Sequence, residues 1–393
     1  MKILSVNAGS SSLKFTLIEL PEQEVIVSGT FEKIGISGSF YTIKYNGEKI
    51  KKESELKDHK DAVKILLDSL IELKIISSYD EISGVGHRLV HGGDKYTESV
   101  VIDDDVIKEV EKLIPLAPLH NPANLVGVRS FKEILPNTPM VAVFDTAFHQ
   151  TMDKEEYLYA VPYSWYEKYG VRRYGFHGTS HRYISEKMSE YLGEHKKIIN
   201  CHIGNGASIC AIKDGKSIAT SMGFTPIAGV IMGTRCGDID LGLIPYVMSC
   251  ENKTFEEVMT DLNKNSGMAA LSGLSSDMRD VEEAYMQKDP RCITAINMYV
   301  KKIVDYIVMY NALLEGTDYI TFTAGVGENS DIIRELVIKR LAFMNVKLNE
   351  EVNTGLRGKF AEISAGDSSI KVMVVPTDEE LMIAKDTYNL INN

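Results

Sequence analysis

The chain begins Met1-Lys2-Ile3-Leu4-Ser5-Val6-Asn7-Ala8-Gly9-Ser10-Ser11-Ser12-Leu13-Lys14-Phe15-Thr16-Leu17-Ile18-Glu19-Leu20, and the reading of these residues decides the fold. Ile3, Leu4 and Val6 are apolar, whereas Asn7 to Ser12 is too rich in small polar residues for a helix interior. Leu13, Phe15 and Leu17 then alternate with Lys14 and Thr16, the period of a half-buried strand. The expectation is a strand, a tight turn and a second strand. Such a turn suits phosphate, because Gly9 removes a Cβ obstruction, the serines donate hydrogen bonds and Lys14 supplies charge. Asn7 adds a carboxamide oxygen within reach of a phosphate-bound Mg²⁺. Taken alone, the stretch is equally an ordinary Ser-rich hairpin.

The pattern returns. Ile198-Ile199-Asn200-Cys201-His202-Ile203-Gly204-Asn205-Gly206-Ala207-Ser208 again reads strand, small-residue turn, strand. Tyr319-Ile320-Thr321-Phe322-Thr323-Ala324-Gly325-Val326-Gly327-Glu328-Asn329-Ser330 reads as a strand ending in a third glycine turn, followed by a helix. Glycine turns at strand ends in both halves of the chain suggest two similar domains closing on one polyphosphate.

At 393 residues the chain is long enough for two domains. A net charge of −12 argues against nucleic acid as a partner, since phosphate neutralisation needs a basic surface. No leader pattern precedes the first strand and no apolar run approaches membrane-spanning length, so the expected location is the cytoplasm. The five cysteines contain no C-x-x-C, which argues against a disulfide framework or zinc.

Further antiparallel strands are expected over 24–52, an amphipathic helix over 58–74 and a strand over 82–90 ending in Arg88, His91, Gly92 and Gly93. Helices follow at 105–114 and 122–135, the latter with Asn121 as N-cap and Pro122 in first position. Met140 to Phe144 is a buried strand ending in Asp145, and the domain crossing falls just after it. Thr254 with Glu257 forms a capping box, Asp289-Pro290 opens a helix that runs to Glu315, and Thr377 with Glu380 is expected to cap the last helix.

Familiar nucleotide motifs are absent. Gly215-Lys216-Ser217 lacks the earlier glycine of a P-loop, because Cys210 stands there, and Gly204-Asn205-Gly206 enters a strand rather than the helix of a dinucleotide fingerprint. The pairs His87/His91 and His177/His181 invite zinc but lack a third ligand and a glutamate base. A hydrolase triad of Ser180, His177 and Asp145 lacks the strained G-x-S-x-G elbow. More informative are Arg88 and Arg235, each held among small residues as suits bidentate contact with carboxylate or phosphoryl groups. Each is open to the alternative of a structural ion pair, Asp238 or Asp240 being the partner for Arg235. Likewise, capping alone explains the Ser-Asp run at 275–277.

Together these segments closely resemble the acetokinase family, the acetate kinases. The resemblance runs through Val6–Lys14, Gly86–Gly93, Leu116–Leu125, Phe144–Thr151, Arg172–His181, Thr220–Asp240, Thr323–Ser330 and Val375–Lys385, nearly the whole chain. It implies an α/β fold of two duplicated actin-like (ribonuclease H-like) ATPase domains, βββαβαβα, with nucleotide in an interdomain cleft. The domains would be 1–147, completed by the C-terminal helix from about 376 to 393, and 148–375, which binds nucleotide and dimerises. The implied reaction is reversible, Mg²⁺-dependent transfer of the ATP γ-phosphoryl group to acetate, giving acetyl phosphate and ADP, with Mn²⁺ as a possible substitute metal.

By the same resemblance, Asn7 and Glu379 hold the metal, Lys14 the ATP phosphates and Arg88 the acetate carboxylate. Asp145 matches the family's catalytic acidic residue, His177 and Arg235 its transition-state stabilisers. Val90, Leu119, Phe176 and Pro226 match the pocket for the methyl group. Nucleotide contacts fall at His202, Ile203, Gly204, Asn205 and Gly206, at Asp277, Met278 and Arg279, and at Gly325, Val326, Gly327, Glu328 and Asn329. A carboxylate nucleophile needs relief of charge repulsion rather than a base, so Asp145 is expected to position the metal or a metal-bound water. Cys236, Leu241 and Asp378 stand where the family commonly has Ser, Pro and Asn; Cys236 beside Arg235 suggests sensitivity to thiol reagents. The rival readings are a propionate kinase of the same family and a non-enzymatic ATP-binding protein of the actin or Hsp70 type. A homodimer through the helix from Pro290 to Leu314 completes the expectations, with core packing as the plain alternative for that helix.

Overall fold

The opening residues form the expected hairpin. In the computed structural model, which describes residues 1–392, β1 (Lys2–Ala8) and β2 (Ser12–Glu19) pair antiparallel, with Asn7 opposite Lys14. The chain divides into two units, one of Met1–Phe148 with the segment from Asp378, the other of His149–Thr377.

The first unit is built on one sheet. To the hairpin it adds β3 (Glu24–Glu32), β4 (Phe40–Tyr45), β5 (Glu48–Glu53), β6 (Ile82–Leu89), β7 (Val100–Val101) and β8 (Met140–Phe144), in the order β5-β4-β3-β2-β1-β6-β8-β7. One face packs Phe15, Leu17 and Phe31 with Val63, Leu66 and Leu70 of the helix His59–Glu72, whose N-cap is Asp58. The other face takes the helix Glu379–Asn392, where Ala384 meets Ile3, Ile18 and Leu20, and Ile383 meets Val141 and Val143. That helix lies so close to β6 that a Cβ at Gly86 would come within 2.3 Å of Thr387 Oγ1, so only glycine fits.

The second unit repeats the theme with β9 (Ile198–Ile203), β10 (Ala207–Lys213), β11 (Lys216–Thr220), β12 (Tyr319–Thr323), β13 (Ala361–Glu362) and β14 (Lys371–Val374), ordered β11-β10-β9-β12-β14-β13. In both sheets a three-stranded antiparallel meander gains two parallel strands on the side of its first strand: β3-β2-β1-β6-β8 and β11-β10-β9-β12-β14. This is the duplication the returning hairpin suggested. Gly215 lies in the turn joining β10 to β11, with a left-handed φ of 75°.

Two expected caps are corrected. Asn121 does not cap the helix Asn121–Ile134; its amide instead clasps His91, accepting from the backbone N–H at 3.2 Å and donating to the carbonyl at 3.1 Å. Nor does a Thr377/Glu380 box cap the last helix, because Asp378 Oδ1 accepts from Leu381 N–H at 2.9 Å and Glu380 pairs with Lys14. An aspartate at the boundary is the stronger cap, which leaves Glu380 for a cation. The Thr254/Glu257 capping box forms, and Asp289 caps the helix Pro290–Leu313.

His87 on β6 is buried edge-on to Phe131 at 5.3 Å, its Nε2 unpartnered, and burial holds its pKa down to about 3. Unfolding returns the imidazole to its ordinary range near 6.5, so between these values the unfolded chain binds the extra proton. Stability is therefore lost as pH falls from 6.5 towards 3, at about 1.4 kcal/mol per pH unit for this one group. His87→Leu is expected to flatten the pH dependence of the urea midpoint over that window; an unchanged slope would refute the assignment.

Candidate active site

In the first unit, Lys14 of β2, the ends of β6 and β8 and the start of the last helix gather charge. Arg88 Nε donates to Asp145 Oδ1 at 3.0 Å and Nη2 to Oδ2 at 2.5 Å, a bidentate pair, while Glu379 Oε2 lies 4.0 Å from Nε. Burial opposes the charge on Arg88, but Asp145 and Glu379 more than offset it and hold the guanidinium firmly protonated. The pair spends two of its five N–H groups, leaving the Nη1 end for another carboxylate. Glu379 is pushed up to about 7 by burial and by neighbouring Asp145 and Glu380, against the opposing pull of Arg88. A carboxyl in that position gains from a cation. Mg²⁺ takes one or two carboxylates and completes its octahedron with waters and phosphate oxygens. Glu379 and Asn7 fit that donor set, whereas among the described residues no group of three or more His, Cys, Asp or Glu forms a cage of its own.

Two asparagines hold this arrangement, and sequence reasoning missed both. Asn124 Oδ1 accepts from Val90 N–H at 3.1 Å while its Nδ2 donates to Ala8 O at 2.8 Å, tying the first glycine turn to the loop after Arg88. Asn121 holds His91, the next residue of that loop, by both its backbone groups. Their signal was the placement of two amides three apart on one buried helix face. Val90 is buried beside them, while Leu119 is 70% exposed.

The second unit holds a cavity of about 470 Å³, a size suited to a small ligand. Gly204, Asn205, Asp277, Met278, Arg279, Gly325, Val326 and Asn329 line it, with Glu282, Tyr299, Ser330 and Arg357, which the sequence did not single out. Gly233 closes over Asn205, where a Cβ would stand 1.7 Å from the Asn205 Oδ1. Asp277 both caps its helix and pairs with Arg279 at 2.5 Å, which accounts for the capping signal and still leaves both at the cavity wall. The third glycine segment is itself helical over Ala324–Asn329, not a turn before a helix.

Five expected nucleotide contacts lie elsewhere. Glu328 Oε1 accepts from Ala324 N–H at 2.7 Å and Thr377 N–H at 3.0 Å, so it braces the segment rather than facing the cavity. Gly327 offers its carbonyl to Arg334, which is fully buried. Ile203 is core, and His202 stacks on His177 with ring centroids 4.2 Å apart. Gly206 flanks the next feature.

A Cβ built on Gly206 would sit 3.4 Å from His177 Nε2 and 3.7 Å from Arg235 Nη2, so both groups face one spot. Arg235 Nη1 donates to Pro226 O at 2.8 Å, and no carboxylate lies within 4.0 Å of its nitrogens among the described residues. Asp238 is committed to Gly229 N–H, Tyr306 and Lys302, and Asp240 to Gly242 N–H. The structural ion pair considered for Arg235 is therefore not made. Burial, with no compensating anion, lowers its pKa, which marks a guanidinium awaiting one. Phe176 precedes His177 in the chain, and its carbonyl accepts a hydrogen bond from His149 Nε2 at 2.9 Å. Ser180 Oγ contacts His202 Nδ1 and Thr377 Oγ1, each at 2.8 Å, not His177, so no hydrolase triad forms. Cys236 is half-buried with its thiol pushed up, so the reactive thiolate is scarce and the expected thiol sensitivity weakens.

A cavity walled by glycine segments, together with a histidine and an arginine that lacks a carboxylate partner among the described residues and converges with it on Gly206, has the makings of a nucleotide-dependent phosphotransferase. Comparison with known proteins makes this specific. The family model described as Acetokinase family matches residues 2–385. The acetate kinases of Anoxybacillus flavithermus and Bacillus subtilis are 55% and 53% identical, over 100% and 99% of this chain and 99% of each relative. Among solved structures, Porphyromonas gingivalis acetate kinase superposes with a TM-score of 0.95 at 47% identity, covering 99% of both chains. A propionate kinase from Francisella tularensis follows with 0.94 at 39% identity, again over 99% of both. The chain belongs to the acetokinase family. It is a kinase that takes ATP or ADP with acetate or acetyl phosphate.

Proposed function

We propose that this chain transfers the γ-phosphoryl group of ATP directly to an acetate oxygen, with Mg²⁺ bound through Asn7 and Glu379. The new bond joins an acetate oxygen to Pγ, the bond from Pγ to the β,γ-bridging oxygen breaks, and ADP leaves with that electron pair. Arg88 receives the acetate carboxylate on its Nη1 end, and Asp145 fixes the plane of that guanidinium. Val90 supplies an apolar wall for the methyl. Arg235 and His177 offset the charge on the transferring group, and Lys14 neutralises the phosphates. When bound, the metal screens phosphate charge. The adenosine occupies the cavity lined by Gly204, Asp277 and Gly325.

The observation that carries this reading is Arg235, a charged group that burial disfavours and that no carboxylate among the described residues compensates. The test is a hydroxamate assay for acyl phosphate with ATP and acetate, propionate or butyrate in turn. Acetate is expected to exceed propionate in kcat/KM by about 1–3 kcal/mol, and Val90→Ala to shift the ratio towards propionate about tenfold. No acetyl hydroxamate would remove the proposal, and an unmoved ratio would take Val90 out of the pocket.

We further propose a cytoplasmic homodimer. The helix Pro290–Leu313 buries Ala295, Ile296, Tyr299, Val300, Ile303 and Ile307, yet leaves Met298 and Met309 exposed. Among the described residues no helix is long and apolar enough to cross a membrane. Light scattering at twice the chain mass, lost in Met298→Glu/Met309→Glu, is the expected result.

A further inference from the structure

Behind His177 runs a buried chain of hydrogen bonds that the roles above do not use. Thr321 Oγ1 on β12 donates to Asn200 Oδ1 on β9 at 2.7 Å. Asn200 Nδ2 meets His181 Nδ1 at 2.8 Å, His181 Nε2 meets Ser208 Oγ at 2.8 Å, and Ser208 Oγ meets His177 Nδ1 at 2.9 Å. Thr321, Asn200, His181 and Ser208 are each fully buried.

Polarity propagates along such a chain. An amide nitrogen can only donate, so His181 Nδ1 must accept and its proton sits on Nε2. Burial together with His149 and His202 holds the His181 pKa well below its ordinary value, so the ring carries that single proton. His181 Nε2–H then donates to Ser208 Oγ. The Ser208 hydroxyl has one hydrogen left to place and one acceptor within reach, His177 Nδ1. His177 is thereby left with its proton on Nε2, the nitrogen that shares the Gly206 spot with Arg235. The backbone cooperates: His177 adopts a left-handed φ of 56° ahead of the helix Gly178–Leu192, and its ring is sandwiched against His202.

We propose that Thr321, Asn200, His181 and Ser208 form a relay that fixes His177 as the neutral Nε2–H tautomer, a hydrogen-bond donor rather than a second cation beside Arg235. Ser208 and Asn200 are positioning residues. The inference rests on the reading of His177 as a partner of the transferring phosphoryl group only for its effect on rate, not for the tautomer itself.

The test is a long-range ¹H–¹⁵N spectrum of the full chain labelled with ¹⁵N-histidine, the His177 signals being identified by their loss in His177→Gln. The expected wild-type pattern at neutral pH is a pyrrole-type Nε2 and a pyridine-type Nδ1 that accepts a hydrogen bond. Ser208→Ala is expected to move Nδ1 to its unbonded position and to lower kcat about tenfold, with KM for acetate unchanged. Ser208→Cys, a weaker donor, falls between. Should Ser208→Ala fold poorly, Thr321→Val removes the donor that orients Asn200 and is expected to mix the two His177 tautomers. A protonated Nδ1 in the wild type, or His177 signals identical in all variants, would overturn the relay. The expected spectra with unaltered kcat would support the relay and instead overturn the placing of His177 at the phosphoryl group.

Discussion

Arg235→Gln is expected to lower kcat about a thousandfold while the dissociation constant for ATP stays close to wild type. Among the described residues Arg235 holds no ion pair, so its removal breaks no salt link and loses only the Nη1 contacts with Pro226 O and Met232 Sδ. On the proposed reading its charge, costly where it stands, becomes useful when negative charge gathers on the transferring group, which is the condition for stabilising a transition state more than a ground state. The substitution should therefore show in kcat, with the urea midpoint unmoved or slightly raised. Arg235→Lys is expected to recover little, because an ammonium cannot both bond Pro226 O and present a second donor in the same plane. A variant that lost ATP affinity but kept kcat would reassign Arg235 to nucleotide binding.

Asp145→Asn is the second large effect, and it is expected on two readouts at once. The carboxylate, 2% exposed, is the anion that Arg88 was folded around. An amide offers one oxygen and turns an N–H towards the guanidinium, so the bidentate contact is lost. Breaking such a pair costs about 3 kcal/mol of stability in the first unit, and kcat/KM for acetate should fall about a thousandfold because the acceptor carboxylate loses its oriented clamp. The sequence alone suggested a metal-positioning role for Asp145. The two are separable: a clamp role raises KM for acetate at saturating Mg²⁺, whereas a metal role raises the Mg²⁺ requirement and leaves KM for acetate alone. A double-mutant cycle with Arg88→Gln should show strong coupling.

Much of this was legible beforehand because it lay in local pattern. The alternation of Leu13, Phe15 and Leu17 around a Gly-Ser turn is a short-range signal, and so is its recurrence at Ile198 to Ser208. The residues proposed to touch ligand stand in recognisable glycine and arginine settings. What escaped was the support beneath them. Asn121 read as a helix cap, since an asparagine before a proline ordinarily is one, but tertiary contact with the His91 backbone outbid the local preference. Thr377 and Glu380 misled in the same way, the cap passing to Asp378 once Lys14 claimed Glu380. Ser208 and Asn200 look like ordinary strand residues, and only the register of β9 against β10 and β12 places them in line.

The helix Glu379–Asn392 carries a last implication for how the molecule is made. It covers the face of the first sheet that bears Ile3, Ile18 and Val141, yet the whole second unit is translated in between. During synthesis that apolar face stays uncovered until the turns carrying Ile383 and Ala384 emerge and dock.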